Sequence, residues 1–152
     1  MDAVWQISGT GPKKPNKNAE AFLKSDTKAA RPSYRASLVA SDLLMRSLGR
    51  PNREQVVSER PSMLTTLQAL DLSNSALLAT TLDKGAPNVQ KQFAEKDSKL
   101  LVDWLYESAL SRRPTAGERK VATDLLGRPA TEQGVEDLLW VVIMLPEFQI
   151  VR

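Results

Sequence analysis

TEQGVEDLLWVVIMLPEFQIVR, residues 131–152, decides the fold. Thr131 is a residue type that caps helix N-termini, and the run from Leu138 to Leu145 leaves almost no polar face. A helix that is apolar all round belongs at the centre of a core. Eight apolar residues are far too few to cross a bilayer, which takes about 20. The segment therefore predicts a central helix in a soluble domain, with the other elements packed on it.

The preceding segments supply those elements. Thr115 and Glu118 form a T-x-x-E capping box ahead of a helix that carries Val121, Ala122, Leu125 and Leu126 inward and closes at Gly127. Asp97 or Ser98 opens SKLLVDWLYESALS, where Leu100, Leu101, Trp104, Leu105 and Ala109 make one apolar face, and Pro114 ends it. Ser62 can cap a helix carrying Leu64, Leu67 and Leu70, and Ser73 or Asn74 one carrying Leu77, Leu78, Thr81 and Leu82. Ser41 and Asp42 mark the start of a short helix that ends at Gly49. Strand-type alternation is nowhere sustained and no fixed repeat is visible. The expected fold is all-α, an irregular bundle of about five to seven helices with one long non-helical crossing.

Upstream the pattern loosens. MDAVWQISGT, residues 1–10, reads as the end of a helix with Val4, Trp5 and Ile7 apolar and Gly9 as its stop, and nothing caps its start. That suggests a missing upstream part, or another chain covering Trp5. Residues 11–35 hold seven basic groups, two acidic ones and three prolines, the composition of a linker or basic arm. The division expected is thus 1–10, 11–35 and a helical domain over 36–152.

The whole chain of 152 residues, 41% hydrophobic and 26% charged, is the size of one domain able to bury a core. Its net charge of +3 is uneven, because residues 1–60 carry 11 basic against 6 acidic side chains. An anionic partner would meet that portion first. As a nucleic-acid arm, residues 11–35 offer only Phe22 and Tyr34 for stacking, which disfavours that partner. The start, Met1-Asp2-Ala3-Val4-Trp5, has neither the basic leader nor the apolar core of a secretory signal.

Cysteine and histidine are both absent. This excludes, within the chain, covalently attached c-type haem, thiolate or imidazole metal sites, Ser-His-Asp triads and Cys-His dyads. Neither catalytic nor metal-binding residues are assigned, and no cofactor is expected in this chain.

Polar groups concentrate in GRPNREQVVSERPS, residues 49–62, where Pro51 and Pro61 stiffen the backbone around Arg50, Asn52, Arg53, Glu54, Glu59 and Arg60. One reading is a structural hub in which Arg53 or Arg60 pairs with Glu54, Glu59 or Asp71. The other is a clamp for a sulfate, a carboxylated sugar or an acidic surface on a partner. Two glutamates five apart in a loop have no fixed separation, so the carboxylate geometry of glycoside hydrolysis cannot be claimed. Thr65, Gln68, Asp71 and Asn74 recur at a spacing of three and put a polar helix face where it can meet that loop. Trp5, Trp104 and Trp140, with Tyr106, could form a sugar-stacking platform, but Trp104 and Trp140 fall within apolar helical faces and read as core. Trp5 is the aromatic expected to touch a partner.

The strings DAVWQISGT, LMRSLGRPNREQVVSERPSMLTTLQALDLSNSALL, LYESALSRRPTAGE and GVEDLLWVVIMLPEFQIVR closely resemble the C-terminal part of a domain of unknown function found mainly in planctomycetes. The resemblance covers residues 2–10 and about 36–152. It implies a place at the end of larger, secreted haem proteins with a cytochrome-c-like module upstream, hence a periplasmic or extracytoplasmic setting. This chain would then be a truncated or short relative. The haem would belong to the other module. The resemblance brings no catalytic residue with it, and roles in electron transfer or polysaccharide processing rest on domain company alone. Sequence and resemblance together point to a non-catalytic structural or interaction domain. The alternative is part of an extracytoplasmic polysaccharide-binding or polysaccharide-processing protein that uses the arginine loop.

Overall fold

The computed structural model describes residues 1–14, 17, 34–47, 50, 65–94 and 97–149. Among them are eight α-helices, one 3-10 turn (Ala36–Leu38) and no strand. The helices are α1 (Asp2–Ser8), α2 (Leu43–Ser47), α3 (Thr66–Ser73), α4 (Ala76–Gln92), α5 (Ser98–Leu110), α6 (Ala116–Leu126), α7 (Glu132–Met144) and α8 (Pro146–Gln149). The chain is all-α, as its sequence predicts. An eighth helix arises because Leu145, ahead of Pro146, turns to φ −65°, ψ 136° and breaks the last segment in two.

Local chemistry sets the boundaries. The Thr115–Glu118 capping box is present, and Thr131 Oγ1 accepts from the Gly134 amide at 3.0 Å. Asp97 caps α5, and Asp42 caps α2 by accepting from the Met45 amide at 2.7 Å. Gly9 ends α1 in the left-handed region at φ 66°. Two caps differ from expectation. α3 starts from Thr65, boxed with Gln68, rather than from Ser62, and α4 starts from Ser75, whose hydroxyl accepts from the Leu78 amide. Helix α5 ends at Ser111, in the left-handed region, three residues before Pro114.

α7 packs against α4, α5, α6 and α8, while α1 lies on α4 and α5. Val135, Leu138, Leu139, Val142 and Ile143 of α7 meet Leu78, Leu82 and Val89 of α4 and Leu101, Val102 and Leu105 of α5 in one core. Phe93 and Trp104 pack at 5.2 Å between ring centroids. Burial of this many leucine and valine side chains, at about 1.5–3 kcal/mol each, dominates the fold's stabilisation.

Several inward assignments shift by one residue. Leu100 is 54% exposed and Val121 68% exposed, while Leu125, Leu67 and Leu70 also face outward. Val102, Tyr106, Thr123 and Leu72 take the buried places. Even α7 turns Val141 to solvent at 47% exposure, so its apolar circumference is not wholly covered.

Two glycines allow close approach. A Cβ on Gly85 would run into the Ser8 side chain of α1, and a Cβ on Gly134 would lie 2.7 Å from the Leu125 and Leu126 carbonyl oxygens. Asn88 Nδ2 donates to the Ser8 carbonyl at 3.2 Å and fixes α1 beside Gly85. The Tyr34 amide donates to the Pro12 carbonyl at 3.0 Å, bringing the two ends of the intervening basic stretch together.

Candidate functional site

Trp5 stands half-buried on α1 at the edge of an open groove of about 350 Å³. Pro12, Lys14, Val39, Ala40, Asp42 and Met45 complete its lining. Three stretches of chain build it. α1 brings the indole, the 39–45 stretch brings an aliphatic wall and the capping carboxylate of α2, and residues 12–14 bring a ring and an ammonium. Its volume falls at the small end of ligand-sized clefts. Burial pushes the Met1 amino group below its ordinary value, against the opposing pull of Asp2 and Asp42.

Arg50 supports the groove from behind. Its backbone amide donates to the Met45 carbonyl at 2.9 Å, at the end of α2. Nη2 donates to the Val39 carbonyl at 2.8 Å, and Nη1 lies 3.0 Å from the Met45 sulfur. One guanidinium thus ties the Val39 wall to α2.

Of the arginine-loop residues, Arg50 is described. Asn52, Arg53, Glu54, Glu59 and Arg60 lie outside the described residues. On α3, Gln68 accepts from the Thr65 amide through Oε1 at 3.0 Å and belongs to the cap. Asn74 closes the other end, with Nδ2 donating to the Leu70 carbonyl at 3.0 Å. Asp71 is half-buried between them. The structure therefore spends Gln68 and Asn74 on opposite ends of one helix. Arg50 and Trp5 it brings to the groove, the first behind the wall and the second in the lining.

A second constellation escapes sequence reasoning. Arg112, in the turn between α5 and α6, donates from Nη1 and Nη2 to Glu118 at 3.0 and 2.8 Å and from Nε to Glu147 of α8 at 2.8 Å. Its guanidinium carbon lies 5.5 Å from the centre of the Tyr106 ring. Hydrogen bonds from Arg112, then from Thr115, lower the Glu118 carboxyl to about 2, and the two glutamates hold the Arg112 guanidinium above its ordinary value. Burial first, then Glu118, raises the Tyr106 hydroxyl. Arg119 pairs with Asp103 at 2.8 Å and Arg113 with Glu107 at 2.9 Å, so three arginines fasten α5, α6 and α8. The one advance signal was Arg112-Arg113-Pro114 directly before the capping box. Glu147, 35 residues away, gave none.

Chemically, these arrangements brace the helices. Among the described residues, no buried side-chain nitrogen or oxygen lacks a partner, and no group of three carboxylates converges as a metal site would require. Nor is any described helix long and apolar enough to cross a membrane.

Fold and site define an all-helical domain in which Asp42, Asp97 and Glu118 cap helices and Arg112 and Arg119 tie helices together. The chain belongs to the PSD1 family, described as "Protein of unknown function (DUF1553)", which matches residues 2–126. That match runs from α1 through α6. No curated protein and no solved structure matches the chain.

Proposed function

We propose that this chain is a non-catalytic structural and interaction domain whose groove at Trp5 receives another domain or a partner chain. The observation that carries it is Trp5, a large aromatic left half-buried in an open groove whose wall Arg50 holds in place. Aromatic side chains with one face free are the usual anchors of protein contacts. The resemblance to planctomycete proteins supplies the setting. The domain sits in an extracytoplasmic, haem-associated protein and docks on the modules that precede it, the haem being held there.

Thermal melting tests this. The chain and Trp5→Ala are melted alone, with the cytochrome-c-like module of such a planctomycete protein, and with sulfated and carboxylated glycans. The expected result is that the module raises the melting temperature of the native chain, raises that of Trp5→Ala less, and that glycans shift neither. A glycan that stabilises the native chain but not Arg53→Ala, with no effect of the module, would replace this reading with polysaccharide binding through the arginine loop. No shift with any addition would remove the docking role.

A further inference from the structure

We propose that α8 is a strap that opens as a unit of its own, with the Arg112–Glu147 pair as its catch. Four residues make a single helical turn, too short to hold itself without tertiary contacts. None of them is buried. Phe148 rests partly buried on the core, and Gln149 Nε2 donates to the Ile143 carbonyl at 3.0 Å. The same Nε2 lies 3.9 Å from the Met144 sulfur, and Glu147, 56% exposed, accepts from Arg112 Nε at 2.8 Å.

Two features limit what α8 disturbs when it leaves, beyond the Ile143 carbonyl that gives up Gln149. α7 closes itself before the strap begins, because the Leu145 amide donates to the Val142 carbonyl at 3.2 Å. Arg112 keeps its two bonds to Glu118, its bond to the Arg113 carbonyl at 3.2 Å and its place over Tyr106 when Glu147 departs. No buried charge is orphaned, so the penalty that locks most buried ion pairs is missing. Opening uncovers the seat on α5 and α7 against which α8 packs. An exposed catch of this kind weakens with added salt.

Amide hydrogen exchange on the full chain tests the strap, in the native sequence and in Glu147→Gln, at low salt and at about 0.5 M. The expected result is that the Phe148 and Gln149 amides exchange about two- to fivefold faster in Glu147→Gln. Salt should speed them in the native chain and not in the variant, while the Val142 and Ile143 amides of α7 stay unchanged throughout. One common rate for α7 and α8, or no change at α8 in Glu147→Gln, would overturn the proposal.

Discussion

Arg112 meets Glu118 fork to fork, with Nη1 3.0 Å from Oε2 and Nη2 2.8 Å from Oε1, while the same Oε2 accepts from the Thr115 amide at 2.7 Å. One carboxylate thus serves as half of a capping box and as the clamp for the preceding turn. Both jobs fall to Glu118 because the box puts it one turn into α6, within reach of a guanidinium six residues earlier.

Glu118→Gln keeps the shape and removes the charge. The amide can still accept from Thr115, but it cannot take two charge-assisted bonds from Arg112. The pair is about one-third exposed, so solvent screening limits the loss to about 1 kcal/mol, a fall of about 2–4 °C in melting temperature. Thr115→Ala should cost about as much through the other half of the box. Calorimetry on the two variants and their combination checks this, and a non-additive double mutant is expected because the Thr115 hydroxyl and the Glu118 side chain are the two reciprocal halves of one capping box.

The same carboxylate predicts a pH dependence. Its folded-state value is depressed to about 2, below the ordinary range for glutamate in an unfolded chain. The stabilisation is therefore fully present above about pH 4.3 and lost as pH falls through about 2. Melting curves between those limits should fall more steeply with acid for the native chain than for Glu118→Gln. Equal slopes would remove Glu118 from the account.

Glu136 predicts the opposite sign. Burial, with Asp83 and Asp137 nearby, raises its carboxyl above the ordinary value. Its charge opposes folding once pH rises past the unfolded-state value, so Glu136→Gln should raise the melting temperature at pH 7. That gain should shrink as pH falls through the ordinary glutamate range, where the unfolded chain takes up its proton as well.

Gly85→Ala separates helix propensity from packing. In an isolated helix the change would favour α4 by about 1 kcal/mol. Here the new methyl runs into Ser8 and lies 3.2 Å from the Ser8 Cα and carbonyl oxygen. A net loss of about 1–2 kcal/mol is expected, because overpacking outweighs propensity. Ser8→Gly in the same chain should restore part of it, and a Gly85→Ala protein that melts higher than the native one would mean that α1 does not sit on α4.

What could be read from residues alone follows the range of the interactions. The Thr115 box, the Thr131 cap, the Asp42 cap and the Gly9 stop involve neighbours within a few positions, and all are present. The inward face was harder to read. Leu100-Leu101-Val102, Val121-Ala122 and Leu125-Leu126 put apolar residues side by side, so a helix can turn by about 100° and still show an apolar stripe. Only the neighbours decide, and they chose Val102 over Leu100 and Ala122 over Val121. The apolar pattern named for α4 stops at Leu82, although the helix runs on to Gln92 past Gly85 and Pro87, residue types that weaken helices. Burial of Leu82, Ala86 and Val89 on either side carries the helix through them. The Arg112–Glu147 tie joins the turn between α5 and α6 to α8, 35 residues on, and left no pattern to find.

Arg50→Ala tests whether the candidate groove has a rigid wall. The substitution removes the bond to the Val39 carbonyl and the contact with the Met45 sulfur but leaves the backbone amide bond to Met45 intact. Loss of one charge-assisted bond at a partly exposed site should cost about 1 kcal/mol, well short of unfolding a domain of this size. The groove should suffer more than the fold. With Trp104 and Trp140 replaced by Phe, the emission of Trp5 reports on the groove directly, and Arg50→Ala should make that emission more accessible to a neutral quencher. Arg50→Lys restores the charge without the planar fork that reaches both Val39 and Met45, so it should resemble the alanine variant more than the native chain. Quenching identical in all three proteins would mean that the wall stands without Arg50, and Trp5 would then owe its place to α1 alone.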